Sequence, residues 1–305
     1  MLKFQNVDIA FGKGVPVVEG VSFCAENMKK TVVIGETGSG KSVLLLSILH
    51  MLPDTALVKG SIIFRERDLL KLKKKEIRQI CGSGISYIPQ GSGNGLNPLY
   101  TVGHQMAEVL RKSYGYRRKE SEAKVPELLE KYGMDGKTVA SAYPFMLSGG
   151  MRQRALIAIG LASGAELILA DEPTKGLDTK RIEIVIEMFQ KLEDRTILCV
   201  THDLRFAETI ADRIIVMYAS QEIEEGSKAA FFKEPLHPYS EAMIKALPEN
   251  GLEINVGFAS PRKASENAFR CHFYDRCPYK REKCLQNPPF VTIGDRKVKC
   301  WKYVI

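Results

Sequence analysis

The sequence predicts an α/β fold built on a parallel sheet, with its chemistry at the carboxyl ends of the strands. Three observations lead there. The β-branched run Thr31 to Ile34 is followed by GETGSGKS (Gly35 to Ser42) and then by an apolar helical stretch. A second apolar run, Leu167 to Ala170, ends in two carboxylates, Asp171 and Glu172. A third, Thr196 to Val200, runs into THDL, which carries His202. Short apolar runs bounded in this way read as strands buried on both faces.

In chain order, MLKFQNVDIAFG alternates as a strand does and lacks the cationic-then-apolar layout of a signal peptide. Gly35 to Ser42 matches G-x-x-x-x-G-K-[ST] between a strand and a helix. Its glycines let the main chain curl until successive N–H groups point at phosphate oxygens, and the positive end of the next helix adds to the attraction. The expected nucleotide contacts are Gly35, Glu36, Thr37, Gly38, Ser39, Gly40, Lys41 and Ser42. Lys41 reaches the β and γ phosphates, and the Ser42 hydroxyl ligates Mg²⁺.

The apolar run Val43 to Leu52 is broken by Ser47 and His50. It falls short of the roughly 20 residues of a membrane span, so the chain is expected to stay in the cytoplasm and to meet a membrane only through a partner. The basic run KLKKKEIR (71–78) reads as a solvated helix face. Between about Gly91 and Gly164, AKVPELLEKYG and RQRALIAIGLA carry helical patterns, read as a helical insertion into the sheet-bearing core. Ser148, Gly149 and Gly150 open a helix there and form a second anion-binding end. After the run Leu167 to Ala170, Asp171 is suited to hold Mg²⁺ through water and Glu172 to polarise an attacking water. One carboxylate alone is an ordinary strand terminus; with the phosphate loop, the pair makes a nucleotide hydrolase.

The formal net charge is +8. From Phe258 to Ile305 eleven Lys/Arg stand against four Asp/Glu, so most of the excess lies in the tail. That tail also holds Cys271, Cys277, Cys284 and Cys300 among Arg, Lys, Asp and Pro. Disulfides do not suit a reducing compartment. Core packing suits Cys24, Cys81 and Cys199, which lie in or near apolar runs, better than the tail thiols. Four thiolates brought together need a cation. Zinc sites usually contain shorter C-x(2–4)-C spacings, and the spacings fit an iron–sulfur cluster at least as well. Zinc and no metal stay open. Any cluster is expected to lie far from the phosphates, in a structural or regulatory role. A nucleic-acid module would need zinc-ribbon spacing and interleaved aromatic residues, which the tail lacks.

LSGGMRQR directly upstream of LILADEP resembles the ATP-binding cassette (ABC) family, and the likeness covers nearly the whole chain. HPYSEAMIKALP and the tail cysteines resemble the oligopeptide and dipeptide importer branch. The resemblance implies a RecA-like P-loop NTPase core with an antiparallel β subdomain, an inserted helical subdomain and a small Cys-rich C-terminal extension. It divides the chain into a nucleotide-binding domain, 1–248, with the helical subdomain at about 91–164, and an extension, 249–305. ATP and Mg²⁺ follow as ligands, and a 4Fe-4S cluster on the four tail cysteines as a candidate.

Residue by residue, Phe11 matches the aromatic that stacks on adenine. Gln90 matches the glutamine loop, which joins Ser42 and Asp171 at Mg²⁺ and faces the transmembrane partner. Glu172 matches the catalytic base, His202 the switch histidine, and Asp178 a loop that contacts the opposite subunit. Departures are Met151 in the signature, Gly91 and Ser92 where relatives have Asp-Pro, and Lys175 where Ser or Thr is commoner. The resemblance further implies a head-to-tail pair of ATPase subunits, each nucleotide lying between one P-loop and the other chain's Ser148–Gly150. It implies two transmembrane permease subunits, an extracytoplasmic substrate-binding protein, no nucleic acid, and a place on the cytoplasmic face of the membrane. The activity implied is ATP hydrolysis driving import of peptides or similar solutes. The alternatives are a nickel or metallophore importer, whose members often lack the Cys tail, and a soluble non-transport ABC ATPase.

Overall fold

The computed structural model describes residues 1–12, 14–91, 95–247 and 269–304. Ser92, residue 248 and the first part of the expected extension, 249–268, lie outside the described residues. The first strands are β1 (Leu2–Phe11), β2 (Val18–Val21), β3 (Cys24–Ala25) and β4 (Lys30–Ile34), followed by α1 (Lys41–Ile48). Then come β5 (Ala56–Phe64), β6 (Arg67–Asp68), α2 (Lys74–Ile80) and β7 (Ile85–Ile88). Four helices follow: α3 (Val102–Tyr114), α4 (Arg118–Lys131), α5 (Gly136–Ser141) and α6 (Gly149–Ala162). Next are β8 (Leu167–Asp171), α7 (Thr179–Gln190), β9 (Thr196–Thr201), α8 (Leu204–Ile210), β10 (Arg213–Tyr218) and β11 (Gln221–Ser227). The chain ends with α9 (Lys228–Lys233), α10 (Pro238–Lys245), β12 (Phe290–Ile293) and β13 (Arg296–Lys299).

These elements form two compact units. The first comprises Met1–Lys71 and Val200–Ile305. Its strands run in the order β6-β5-β1-β2-β11-β10-β4. β1 pairs antiparallel with β5, from Leu2 opposite Phe64 to Phe11 opposite Ala56. Its alternation buries Leu2, Phe4, Val7 and Ile9, with a register shift between Gln5 and Asp8. β4 and β10 pair in parallel, with Thr31 opposite Arg213. Val32, Val33 and Ile34 are fully buried beside Ile214, Ile215 and Val216, as continuous apolar runs in parallel strands require.

The C-terminal hairpin β12–β13 extends this sheet. Val298 lies opposite Glu224, and Lys297 opposite Glu225, on β11. The polar stretch QEIEEG is almost wholly buried, Glu222, Glu224 and Glu225 each being no more than 3% exposed. The tail supplies partners for two of them: Arg296 lies 2.9 Å from Glu224 and Lys297 2.9 Å from Glu225. Glu224 also accepts the main-chain N–H groups of Leu236 and His237, each at 2.8 Å. A carboxylate with three such donors is tolerated where an unpaired one is not.

The second unit is Leu72–Cys199. It holds β7 and β8 in parallel, with Ile88 opposite Ala170. Helices α3 to α6 enclose a core that includes Met106, Leu110, Leu129, Val139 and Leu156. Thr101 caps α3 by accepting the His104 N–H at 3.2 Å, and Gly115 ends it at φ +71°. Gly136 lets α5 close on α4: a Cβ there would lie 2.2 Å from the Pro126 carbonyl oxygen. α2 starts at Lys74 and buries Ile77, leaving Lys73, Lys74, Lys75 and Arg78 in solvent. Of the three cysteines expected to pack in the core, Cys199 is buried and Cys24 half-buried, but Cys81 is exposed at the end of α2. Its apolar neighbours Ile77 and Ile80 belong to a helix that ends at Ile80, so the chain turns away before the thiol can follow them. Among the described residues, no helix is long and apolar enough to cross a membrane.

Candidate nucleotide and cysteine sites

In the first unit, β4 delivers the chain into the loop Gly35–Ser42. Two glycines there are dictated by space as well as torsion. A Cβ on Gly35 (φ +153°) would meet the Met217 carbonyl oxygen at 2.1 Å, and one on Gly40 (φ +98°) would meet that of Val17 at 2.2 Å. Lys41 is 5% exposed and its Nζ donates to the carbonyls of Gly35 at 2.7 Å and Glu36 at 2.9 Å. The lysine therefore braces the loop that it serves. Gly40 caps α1 with no side-chain acceptor, and no acid occupies the first turn. No side-chain cap competes with an anion for the N–H groups of that turn. The Ser39 hydroxyl is buried inside the loop and has no hydrogen-bond partner among the described residues.

His202 lies just past β9, exposed, beside Asp203, which caps α8 by accepting the Phe206 N–H at 3.0 Å. Phe11 is the last residue of β1 and half-buried. Both belong to the unit that carries the phosphate loop.

The second unit holds the remaining nucleotide residues. Asp171 ends β8 at 3% exposure, and the Tyr87 hydroxyl on β7 donates to its Oδ2 at 3.4 Å. Burial, with the Asp171 charge second, raises the Tyr87 pKa. Glu172 is 6% exposed and has φ +48°, a left-handed backbone that costs a non-glycine residue energy and is typical of functional sites. The parallel register places Gln90 and Glu172 each two residues beyond the pair Ile88–Ala170. Gln90 is exposed.

Ser148 caps α6, its hydroxyl accepting the Met151 N–H at 3.3 Å. Gly150 passes under Arg181, whose Cδ would lie 2.5 Å from an added Cβ. Asp178 caps α7 by accepting the Arg181 N–H at 3.0 Å, and its other oxygen lies 3.3 Å from Arg181 Nε. These contacts already give Asp178 a local structural task.

The four tail cysteines gather in the first unit around one cavity of about 380 Å³, lined also by His237, Phe273, Tyr274 and Trp301. All four thiols are free. The main-chain N–H of Cys271 donates to the Cys284 carbonyl at 3.0 Å, which fixes two of the four positions. Burial pushes the Cys271 thiol up to about 11, and the other three cysteines add to the shift. Among the described residues no group of three or more His, Cys, Asp or Glu is arranged to hold a single metal ion.

The Cys-rich module makes direct contact with the phosphate loop through residues other than its cysteines. Arg276, next to Cys277, lies 2.9 Å from Glu36 in the phosphate loop. Tyr239, in the HPY stretch, accepts the Glu36 N–H at 3.1 Å. Contacts spanning more than 200 residues leave no mark in local sequence patterns.

Residues 18–175 match the ABC transporter family, and residues 223–284 match the oligopeptide/dipeptide transporter C-terminal region. The dipeptide transport ATP-binding protein DppD of Haemophilus influenzae is 38% identical over 98% of this chain and 94% of its own length. The oligopeptide transport ATP-binding protein AppD of Bacillus subtilis is 35% identical over 95% and 92%. A solved dimer of the ATP-binding cassette MJ0796, in a post-hydrolysis state with ADP and Pi, superposes with a TM-score of 0.68 at 27% identity. It covers 75% of this chain and 99% of the cassette.

Proposed function

Because the chain belongs to the ABC transporter family, as an ATP-binding subunit of the oligopeptide/dipeptide branch, we propose that it hydrolyses ATP to drive import of peptides or similar small solutes. One observation carries the reading: a signature helix opened by Ser148, Gly149 and Gly150 directly precedes a strand that ends in Asp171 and the strained Glu172.

In this reading Gly35–Ser42 cradle the phosphates and Phe11 lies against adenine. Ser42, Asp171 and Gln90 are the residues that would hold Mg²⁺, which would supply positive charge to offset that of the phosphates. Glu172 takes the proton of the attacking water, and His202 holds that water against the γ-phosphate. Ser148–Gly150 face the nucleotide of a second ATPase subunit, with Asp178 beside that seam, so closure of the pair completes each centre. The nucleotide-binding domain spans 1–248, with its helical subdomain at about 91–164, and the Cys-rich extension spans 249–305. Leu99, Phe145 and Met146 are exposed apolar side chains around α3 to α5, suited to a permease helix on the cytoplasmic face of the membrane. A substrate-binding protein outside the membrane would choose the cargo.

Cys271, Cys277, Cys284 and Cys300, which line one cavity, are the residues that would hold a 4Fe-4S cluster in this reading; it would supply a rigid cross-link and electron-transfer capacity. Iron and acid-labile sulfide in chain purified without oxygen, both lost in Cys284→Ser, are the expected result. A colourless, iron-free chain removes the cluster, and zinc in its place would redirect the site.

The ATPase reading is tested by mixing two inactive variants, Lys41→Ala and Ser148→Ala. In a head-to-tail pair the mixture regains part of the activity, because one of the two centres is intact. No recovery at any ratio would refute the shared site.

A further inference from the structure

A phosphate-binding loop gains nothing from a negative side chain, yet Glu36 supplies one at its second position. Its carboxylate is not left to face a nucleotide alone. Nη1 of Arg276 donates to Glu36 Oε1 at 2.9 Å, with side chains 17% and 25% exposed. The same Nη1 donates to the Tyr218 hydroxyl at 3.3 Å, and the guanidinium carbon lies 5.6 Å from the rings of both Tyr218 and Phe273. Tyr218, Tyr239 and Phe273 pack on one another at 4.6 to 5.7 Å between centroids. Tyr239 accepts the main-chain N–H of Glu36. One loop residue is thus held by its side chain and by its main chain, both times from the C-terminal third of the protein.

The chemistry asks for arginine. A planar guanidinium can lie over aromatic rings while its edge donates to a carboxylate and a phenol, which a lysine ammonium does poorly. In a partly buried setting the pair is weakly screened, so losing the cation leaves a carboxylate charge standing beside the phosphates.

We propose that Arg276 is a positioning residue for ATP: it neutralises and anchors Glu36, so the C-terminal module sets the affinity of the phosphate loop. The proposal rests on Gly35–Ser42 being the ATP loop and is independent of what the four thiols hold.

The test is a double-mutant cycle on the full chain, reading the Kd of a fluorescent ATP analogue. Arg276→Ala is expected to raise Kd about tenfold, the size expected for one charge-assisted contact. Arg276→Lys recovers part of it. In a Glu36→Gln background, the same Arg276→Ala change shifts Kd less than about twofold, because the charge it shields is gone. Equal effects in the two backgrounds, or no effect in either, overturn the proposal. If Arg276→Ala does not fold, Arg276→Lys run through the same cycle decides by the same criterion. Failure of the wild-type chain to bind the analogue would refute the ATP loop itself, a separate result.

Discussion

Gln153 Nε2 donates to the Pro173 carbonyl at 3.1 Å, joining the signature helix α6 to the turn that carries Glu172. The amide is 1% exposed. The residue that follows the signature glycines by three therefore grips the residue after the candidate base. A shift of α6 cannot leave that turn unmoved, so in the proposed head-to-tail pair this bond would couple α6 to Glu172.

Gln153→Ala removes this link and leaves a buried carbonyl unpaired. The expected cost is about 1–3 kcal/mol of stability, seen as a lower thermal midpoint. ATP hydrolysis should fall while binding of an ATP analogue is largely kept. Equal loss of both would mean the link is merely structural.

Glu172 pays for its place with a left-handed backbone. Glu172→Gly relieves that torsion and Glu172→Ala does not. The glycine variant should be the more stable of the two by about 1 kcal/mol, measured by thermal or denaturant unfolding. Both should lose turnover by at least about a hundredfold.

Gly40 and Gly38 separate torsion from space. Both have positive φ, but only Gly40 has a neighbour, the Val17 carbonyl, where a Cβ would go. Gly38→Ala should cost about 1 kcal/mol of strain alone. Gly40→Ala should cost more, at least about 2 kcal/mol, since main chain must move. Nucleotide titration should show a greater loss of binding for Gly40→Ala.

Glu222 is buried with its Oε1 unpaired, and burial raises its pKa from 4.5 to about 8. The folded chain thus holds a proton that the unfolded chain releases between about pH 4.5 and 8. Its contribution to stability is fully present below that window and declines as pH rises through it. Glu222→Gln should remove this decline, so the gap in thermal midpoint between variant and wild type should widen in the variant's favour from pH 5 to 8.5. A gap independent of pH would contradict the protonated assignment.

Much of this was legible because it is local. The strand–glycine–lysine–helix order of Thr31 to Ile48 states its own geometry, since only glycine tolerates the torsions and helix starts bind anions. The runs before Asp171 and His202 are apolar throughout because parallel strands are covered on both faces. The burial of Glu222, Glu224 and Glu225 was not legible. The partners of Glu224 and Glu225, Arg296 and Lys297, lie some 70 residues on in the chain. Cys81 failed in the opposite direction: apolar neighbours suggested packing, and the end of α2 left it outside.

The sequence by itself marked the local chemistry, namely a glycine loop suited to phosphate, a carboxylate pair and a helix start at Ser148. Each depends on residues within a few positions of one another, where backbone torsion and hydrogen-bond geometry decide. Tertiary structure alone decided that the cysteine module reaches the phosphate loop through Arg276 and Glu36. That contact spans 240 positions, and the C-terminal hairpin that follows Arg276 in the chain pairs with the β11 edge of the same sheet.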